Sequence, residues 1–337
     1  MTTATLHRPA RNQSSGRPRS RFYEIAQRVS SRFEPRTAAA FTAAVNRLLN
    51  RVDDVALRSA VASGSLDQIM AALATGGSLQ NIILEGRELE DAFRHAATAT
   101  GRAGADVLTG ATGVQARFNA LAPDVVLFAR TQAGRLIAQD VGPGVREAVR
   151  VVIAMGQYEG LTTVQQARAI REIVGLPAPW ARAPLNLRQE ILDGHAAAAT
   201  GRRLSAAEKA QIRSRIKAGT VTEEFADQMS RTYSQRLVNR RAQNIARTEN
   251  LKAAHHGQHQ GWKQAVNDGV LPQTARRIVV VTPDDRLEHW MVPGMNEGGR
   301  GMDEPFQAPE GSFLNPPFRP NCRCGVGLVF PGHAGVL

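Results

Sequence analysis

Apolar residues recur along most of this chain at the three-and-four spacing of amphipathic helices, and only after residue 275 does the pattern change. Phe41, Val45, Leu48 and Leu49 form the first stripe, and Val52, Val55 and Leu57 continue it within a helical stretch over 36–100. ATGGSLQ (74–80) breaks that stretch, with Ser78 placed to cap the next helix. Residues 100–114 are rich in Gly, Ala and Thr and read as a linker. Pro123 and Asp124 open a further helix, and GPG (142–144) separates it from VREAVRVVIAMGQYEG. Thr162 with Gln165, and Ser205 with Glu208, each fit a capping box, in which hydroxyl and N3 side chain satisfy each other's backbone donors. Val164, Ala167, Ile170 and Val174 share one face, and Gly175 and Gly219 supply helix stops. LPAPWARAPLN (176–186) reads as a Pro-rich loop between these helices.

A long helix is predicted over roughly 222–260. Phe225, Met229, Tyr233 and Leu237 recur at spacing four, Ile245 follows, and Arg231, Arg236, Arg240 and Arg241 face solvent. It ends near Gly261, with Trp262 packing back. RRIVVVT (276–282) is β-branched and reads as a strand, CGVGLVF (324–330) as a second, with a long Gly-, Pro- and acid-rich loop between. The expected fold is mainly α: an elongated helical body, a small C-terminal antiparallel β unit and a disordered basic N-terminal tail. The divisions fall at 1–22 (tail), 23–110 and 111–220 (helical regions), and 221–337 (long helix plus β unit).

Composition sharpens this. Of 42 basic residues among 337, only Lys209, Lys217, Lys252 and Lys263 are lysine, which leaves 38 arginines and a net charge of +12. Arginine forms bidentate contacts with phosphate and carboxylate. The balance therefore suits a polyanionic neighbour such as DNA, or a GC-rich genome that encodes its cations as arginine. Arg8, Arg11, Arg17, Arg19 and Arg21 stand in the tail without an acid among them, either as a DNA-binding arm or as a solvated terminus. No apolar leader opens the chain and no run of about 18 apolar residues spans a membrane, so no membrane partner is expected. Nucleotide-binding and hydrolase signatures such as GxxxxGK[ST] and GxSxG are absent.

A set of ordered motifs remains: IARTEN (245–250) on the long helix, TPDDR (282–286) after the first strand, His289 five residues before Gly294, and FLNPPFRPNCRC (313–324). This order resembles the phage Mu F-like head morphogenesis (minor head protein) family over about residues 120–330. GLTTVQQARAIREIVGL (160–176) is similar to that family's upstream part. The resemblance implies a low-copy virion component inside the phage head, made in the host cytoplasm. It would act in capsid assembly with portal protein, major capsid protein and packaged DNA as partners. The motif residues are Arg247, Thr248, Glu249, Asp284, Asp285, Arg286, His289, Asn321, Cys322, Arg323 and Cys324.

Each has a plain reading and a chemical one. Arg247 and Glu249 lie on different helix faces. Glu249 pairs with an arginine of the C-terminal loop, Arg286 or Arg323, or else works as an acid–base group. Asp284 and Asp285 cap a turn or bind a divalent cation. Cys322 and Cys324 are too close for an ordinary disulfide; two apart on a strand, they face one way. They and His289 are candidate ligands of one zinc ion, with His255, His256, His259 or His333 as a fourth. The loop LEHWMVPGM (287–295) has no cysteine where that family carries further ones, so a four-thiolate site is not expected. The alternative is that the two thiols pack as small hydrophobes. HHGQH places His255 and His259 one turn apart but lacks the glutamate of HExxH, and reads as a surface histidine cluster. No catalytic residue is assigned. The competing function is a virion-delivered metal-dependent enzyme, a nuclease or transferase-like effector.

Overall fold

A computed structural model describes residues 20–74, 87–136, 142–200, 202–281 and 287–337. The fold is mainly α with a small C-terminal antiparallel β unit. The helices are α1 (Arg21–Arg51), α2 (Asp54–Ser63), α3 (Leu66–Leu73), α4 (Glu88–Thr112), α5 (Pro123–Arg135), α6 (Gly142–Tyr158), α7 (Thr163–Ile173), α8 (Ala178–Leu192), α9 (Ala206–Ala218), α10 (Glu223–Asn267) and the single turn α11 (Val292–Met295). The strands are β1 (Arg276–Val280), β2 (Phe306–Ala308), β3 (Gly311–Phe313) and β4 (Gly325–Val329). The residues group into two compact units, one of 38–89 with 132–243, the other of 1–37 with 90–131 and 244–337.

In the first unit both capping boxes form: Gln165 N–H meets the Thr162 hydroxyl at 3.3 Å, and Glu208 N–H meets that of Ser205 at 3.2 Å. Gly219 closes α9 in the left-handed region at φ 64°, where glycine avoids the Cβ clash. Three expectations fail here. The 176–186 segment is not a loop. Pro179 sits in the first turn of α8, where no N–H is needed, and Pro184 is absorbed in its interior while its carbonyl accepts from Ser230 Oγ at 3.1 Å. GPG (142–144) does not separate helices but forms the first turn of α6. Arg241 is buried, donating to Gly175 O at 2.8 Å, while Arg236 pairs with Glu208 at 2.7 Å and Arg231 with Glu172 at 4.0 Å. Arg231 and Arg236 remain exposed as expected, and only Arg241 leaves the solvent face. The expected break at 75–80, with Ser78, lies outside the described residues.

The second unit holds the motifs. Its 100–114 segment is helix α4, not a linker. Its small residues admit close neighbours instead of loosening the chain: a Cβ on Gly101 would stand 2.4 Å from the Phe118 ring, and one on Gly261 of α10 would stand 3.6 Å from Gly101 O. For the same reason α10 does not stop at Gly261. It runs to Asn267, and Trp262, fully buried, meets Phe22 edge-on at 5.0 Å. Helix α1 starts at Arg21, so Phe22 is core and not tail; Arg8, Arg11, Arg17 and Arg19 lie outside the described residues.

The β unit is two separate two-stranded ladders. β1 pairs with β4 antiparallel, Ile278 opposite Gly327 and Val280 opposite Gly325. β2 pairs with β3, Ala308 opposite Gly311, leaving Pro309 and Glu310 as a two-residue turn. Their core joins Phe306, Phe318, Cys322, Cys324, Val326 and Leu328 to Trp262 and Phe22. Among the described residues no helix is long and apolar enough to cross a membrane.

Candidate metal centre

The second strand stops short of the cysteines: β4 begins at Gly325, so Cys322 and Cys324 lie in the extended segment that leads into it. The alternation persists. Cys322 and Cys324 are buried at 2% and 0% exposure, and half-buried Arg323 points away between them, its carbonyl accepting from Gln27 Nε2 at 3.2 Å. Asn321 takes the left-handed conformation at φ 60°, which asparagine tolerates, and turns the chain from the PPFRP segment into this approach.

His289 stands on the 3₁₀ turn Leu287–Met291 and is fully buried. Its Nδ1 lies 3.4 Å from Cys322 Sγ and 3.3 Å from Cys324 Sγ. Its Nε2 faces Glu310 Oε1 at 3.1 Å, the carboxylate delivered by the β2–β3 turn. Because a carboxylate only accepts, the proton sits on Nε2 and the Nδ1 lone pair turns toward the sulfurs. Arg319 Nη1 holds the same Glu310 oxygen at 3.2 Å. Burial raises the Glu310 carboxyl, but the bonds from His289 and from its own backbone hold it below its ordinary range. A hydrogen bond from Cys324 brings the Cys322 thiol down to about 6, against the opposing effect of burial. The three donor atoms lie within 4.8 Å of one another.

The other histidines are elsewhere. His255 and His259 are not a surface cluster: both are 1% exposed, because this face of α10 lies under the 301–317 loop. His255 Nδ1 donates to Pro316 O at 2.8 Å, and His259 Nε2 to Met302 O at 2.6 Å. Burial drives both down, His255 to about 4 and His259, next to Arg277 as well, to about 3. His256 stacks on Phe128 at 3.9 Å and His333 on Phe330 at 5.5 Å. None of the four joins the triad, so the expected fourth histidine ligand is not found among the described residues.

The IARTEN residues serve as anchors. Thr248 Oγ1 donates to Asn244 O at 2.9 Å and accepts from Asn321 N–H at 3.1 Å. Glu249, buried at 3% exposure, pairs with the Lys252 ammonium one turn along α10 at 2.8 Å. Arg247 pairs with Glu34 of α1 at 3.7 Å. Asn250, not singled out by the sequence reading, is buried and accepts from Thr37 Oγ1 at 3.0 Å. Asp284, Asp285 and Arg286 lie outside the described residues.

Sequence reasoning missed Arg277. It is fully buried on β1 and donates to the carbonyls of Gly301 (2.9 Å), Leu314 (2.6 Å) and Glu304, and to Asn315 Oδ1 at 3.1 Å. Asn315 Nδ2 in turn faces His259 Nδ1 at 3.4 Å. The asparagine of NPP thus joins the strand arginine to the helix histidine. Alternation along RRIVV was the available signal, since a charged residue at an inward strand position must find partners.

Comparison of the chain with protein-family models, with curated proteins and with solved structures finds no match.

Proposed function

We propose that this chain is an internal, minor head protein of a tailed phage, of the Mu F-like type that its motifs resemble. It acts in capsid assembly beside portal and major capsid protein, with packaged DNA as a further partner. What supports the reading is that segments 73 and 61 residues apart meet directly in one unit: Thr248 of IARTEN holds Asn321 of PNCRC at 3.1 Å, and His255 of the same helix holds Pro316 of NPP at 2.8 Å. These segments therefore belong to one structural unit. Glu249, buried and tied to Lys252, fits a structural ion pair within that unit.

The net charge of +12 suits a protein packed beside DNA. Contact would be mainly phosphate neutralisation, so DNA retention by the purified chain falls steeply with salt. Disrupting the gene in the phage that carries it tests the assembly role. The expected result is fewer assembled heads, restored by the gene in trans. Normal heads that package and eject DNA yet infect poorly would instead support a virion-delivered enzyme.

A further inference from the structure

The geometry points to a site that nothing else assigns: we propose that His289, Cys322 and Cys324 bind one Zn²⁺ ion that staples the β unit shut. Zinc–thiolate bonds of about 2.3 Å and zinc–imidazole bonds of about 2.0–2.1 Å, at the tetrahedral angle, place nitrogen and sulfur about 3.5 Å apart. The observed separations of 3.4 Å and 3.3 Å already match that spacing, with the imidazole lone pair aimed between the sulfurs. Metal-bound histidines as a rule donate their other ring N–H to a carboxylate, which fixes the tautomer and makes the ligand more basic. Glu310 occupies that position at 3.1 Å, and Arg319 orients it in turn. A pair of thiols packed only as hydrophobes has no need of this outer carboxylate.

The donor set selects the metal. Two thiolates and an imidazole suit zinc, whereas magnesium and calcium demand oxygen ligands. The ion takes both sulfurs as thiolates, any thiol proton still held leaving to solvent, and takes the Nδ1 lone pair of a His289 that keeps its proton on Nε2. The fourth position of the tetrahedron takes a light donor, nitrogen or oxygen. All three protein ligands are buried. The ion ties the 3₁₀ turn at 287–291 to the segment entering β4, two pieces that β1–β4 pairing alone does not join.

The test uses untagged full-length protein expressed with zinc in the medium. Elemental analysis is expected to give close to one zinc per chain. X-ray absorption should show two sulfur and two light neighbours. Cobalt(II) added to chelated protein should give a thiolate-to-cobalt charge-transfer band, lost in Cys322→Ser/Cys324→Ser. Should that variant not fold, Glu310→Gln keeps the three ligands and is expected to weaken zinc affinity by 10-fold or more. Chelation is expected to lower the unfolding temperature, and added ZnCl₂ to restore it. Wild-type protein with under a tenth of an equivalent of zinc, or zinc retained in full by the double cysteine variant, would overturn the proposal. So would Glu310→Gln affinity equal to that of the wild type.

Discussion

The backbone N–H of Asn321 donates to the Thr248 hydroxyl at 3.1 Å, and this bond ties the long helix to the residue next to Cys322. Thr248 also donates to Asn244 O within its own helix, so its hydroxyl is used twice. Thr248→Val keeps the shape and leaves a part-buried N–H without an acceptor, at a cost of about 1–2 kcal/mol. Thr248→Ser keeps the bond and should cost well under half of that. Urea unfolding of both variants checks the difference; equal losses would place the effect in packing.

Arg277 shows what a buried charge can organise. It lies over the Phe306 ring at 4.9 Å and gathers carbonyls from Gly301, Glu304 and Leu314. Burial brings its guanidinium down to about 10, against the opposing pull of Asp303 and Glu304. Arg277→Met strands those carbonyls in a dry interior and should cost about 3 kcal/mol or more. Arg277→Lys, with a point charge in place of a planar fork, should recover only part of that. Hydrogen exchange is expected to speed first in residues 300–316.

Three histidines of α10 set the acid limit of the same unit. The folded pKa values of His255 and His256, each about 4, and of His259, about 3, lie below the ordinary 6.5. The unfolded chain therefore binds protons more readily, and stability present above pH 6.5 is lost as pH falls toward 4. The loss is on the order of 2–3 kcal/mol per histidine at the bottom of that window. Thermal unfolding from pH 7 to 4.5, in chelator so that no metal ligand titrates, should show the decline. His255→Gln should flatten it, and an unchanged slope would count against the buried placement.

Glu172 acts with the opposite sign in the other unit. Burial raises its carboxyl to about 7, against the pull of Arg231. A raised acid pKa means the folded state holds the proton, so stability falls as pH climbs from about 4.5 to 7. Glu172→Gln removes that penalty and should stabilise by on the order of 1–3 kcal/mol at pH 8, with little change at pH 5. Differential scanning calorimetry at the two pH values separates this from a general packing effect.

The helical frame and the outer strands were legible because period and capping are local signals. Thr162 with Gln165, Ser205 with Glu208, and the β-branched run at 276–280 all form as read. What the sequence hid depends on distant partners. Gly101, Gly104 and Gly257 look like helix breakers until an opposing chain is seen in contact with them: the Ala97 backbone against Gly257, the Phe118 ring against Gly101 and the Phe22 ring near Gly104. His255 and His259 look like surface residues until a loop some 50 residues on covers them. The hairpin 306–313 was passed over because its strands are three residues long, although Pro309-Glu310-Gly311 marks its turn. The triad was half legible: spacing proposed the two cysteines and His289 together, but Glu310, which orients the histidine, lay in that unread hairpin.

The reading of the chain as an internal head component is tested most directly by the protein composition of purified, DNA-filled heads. Quantitative mass spectrometry is predicted to find the chain inside them, protected from added protease, at far fewer copies than the major capsid protein. Its absence from intact heads, with the protein recovered only in the lysate, would contradict the account.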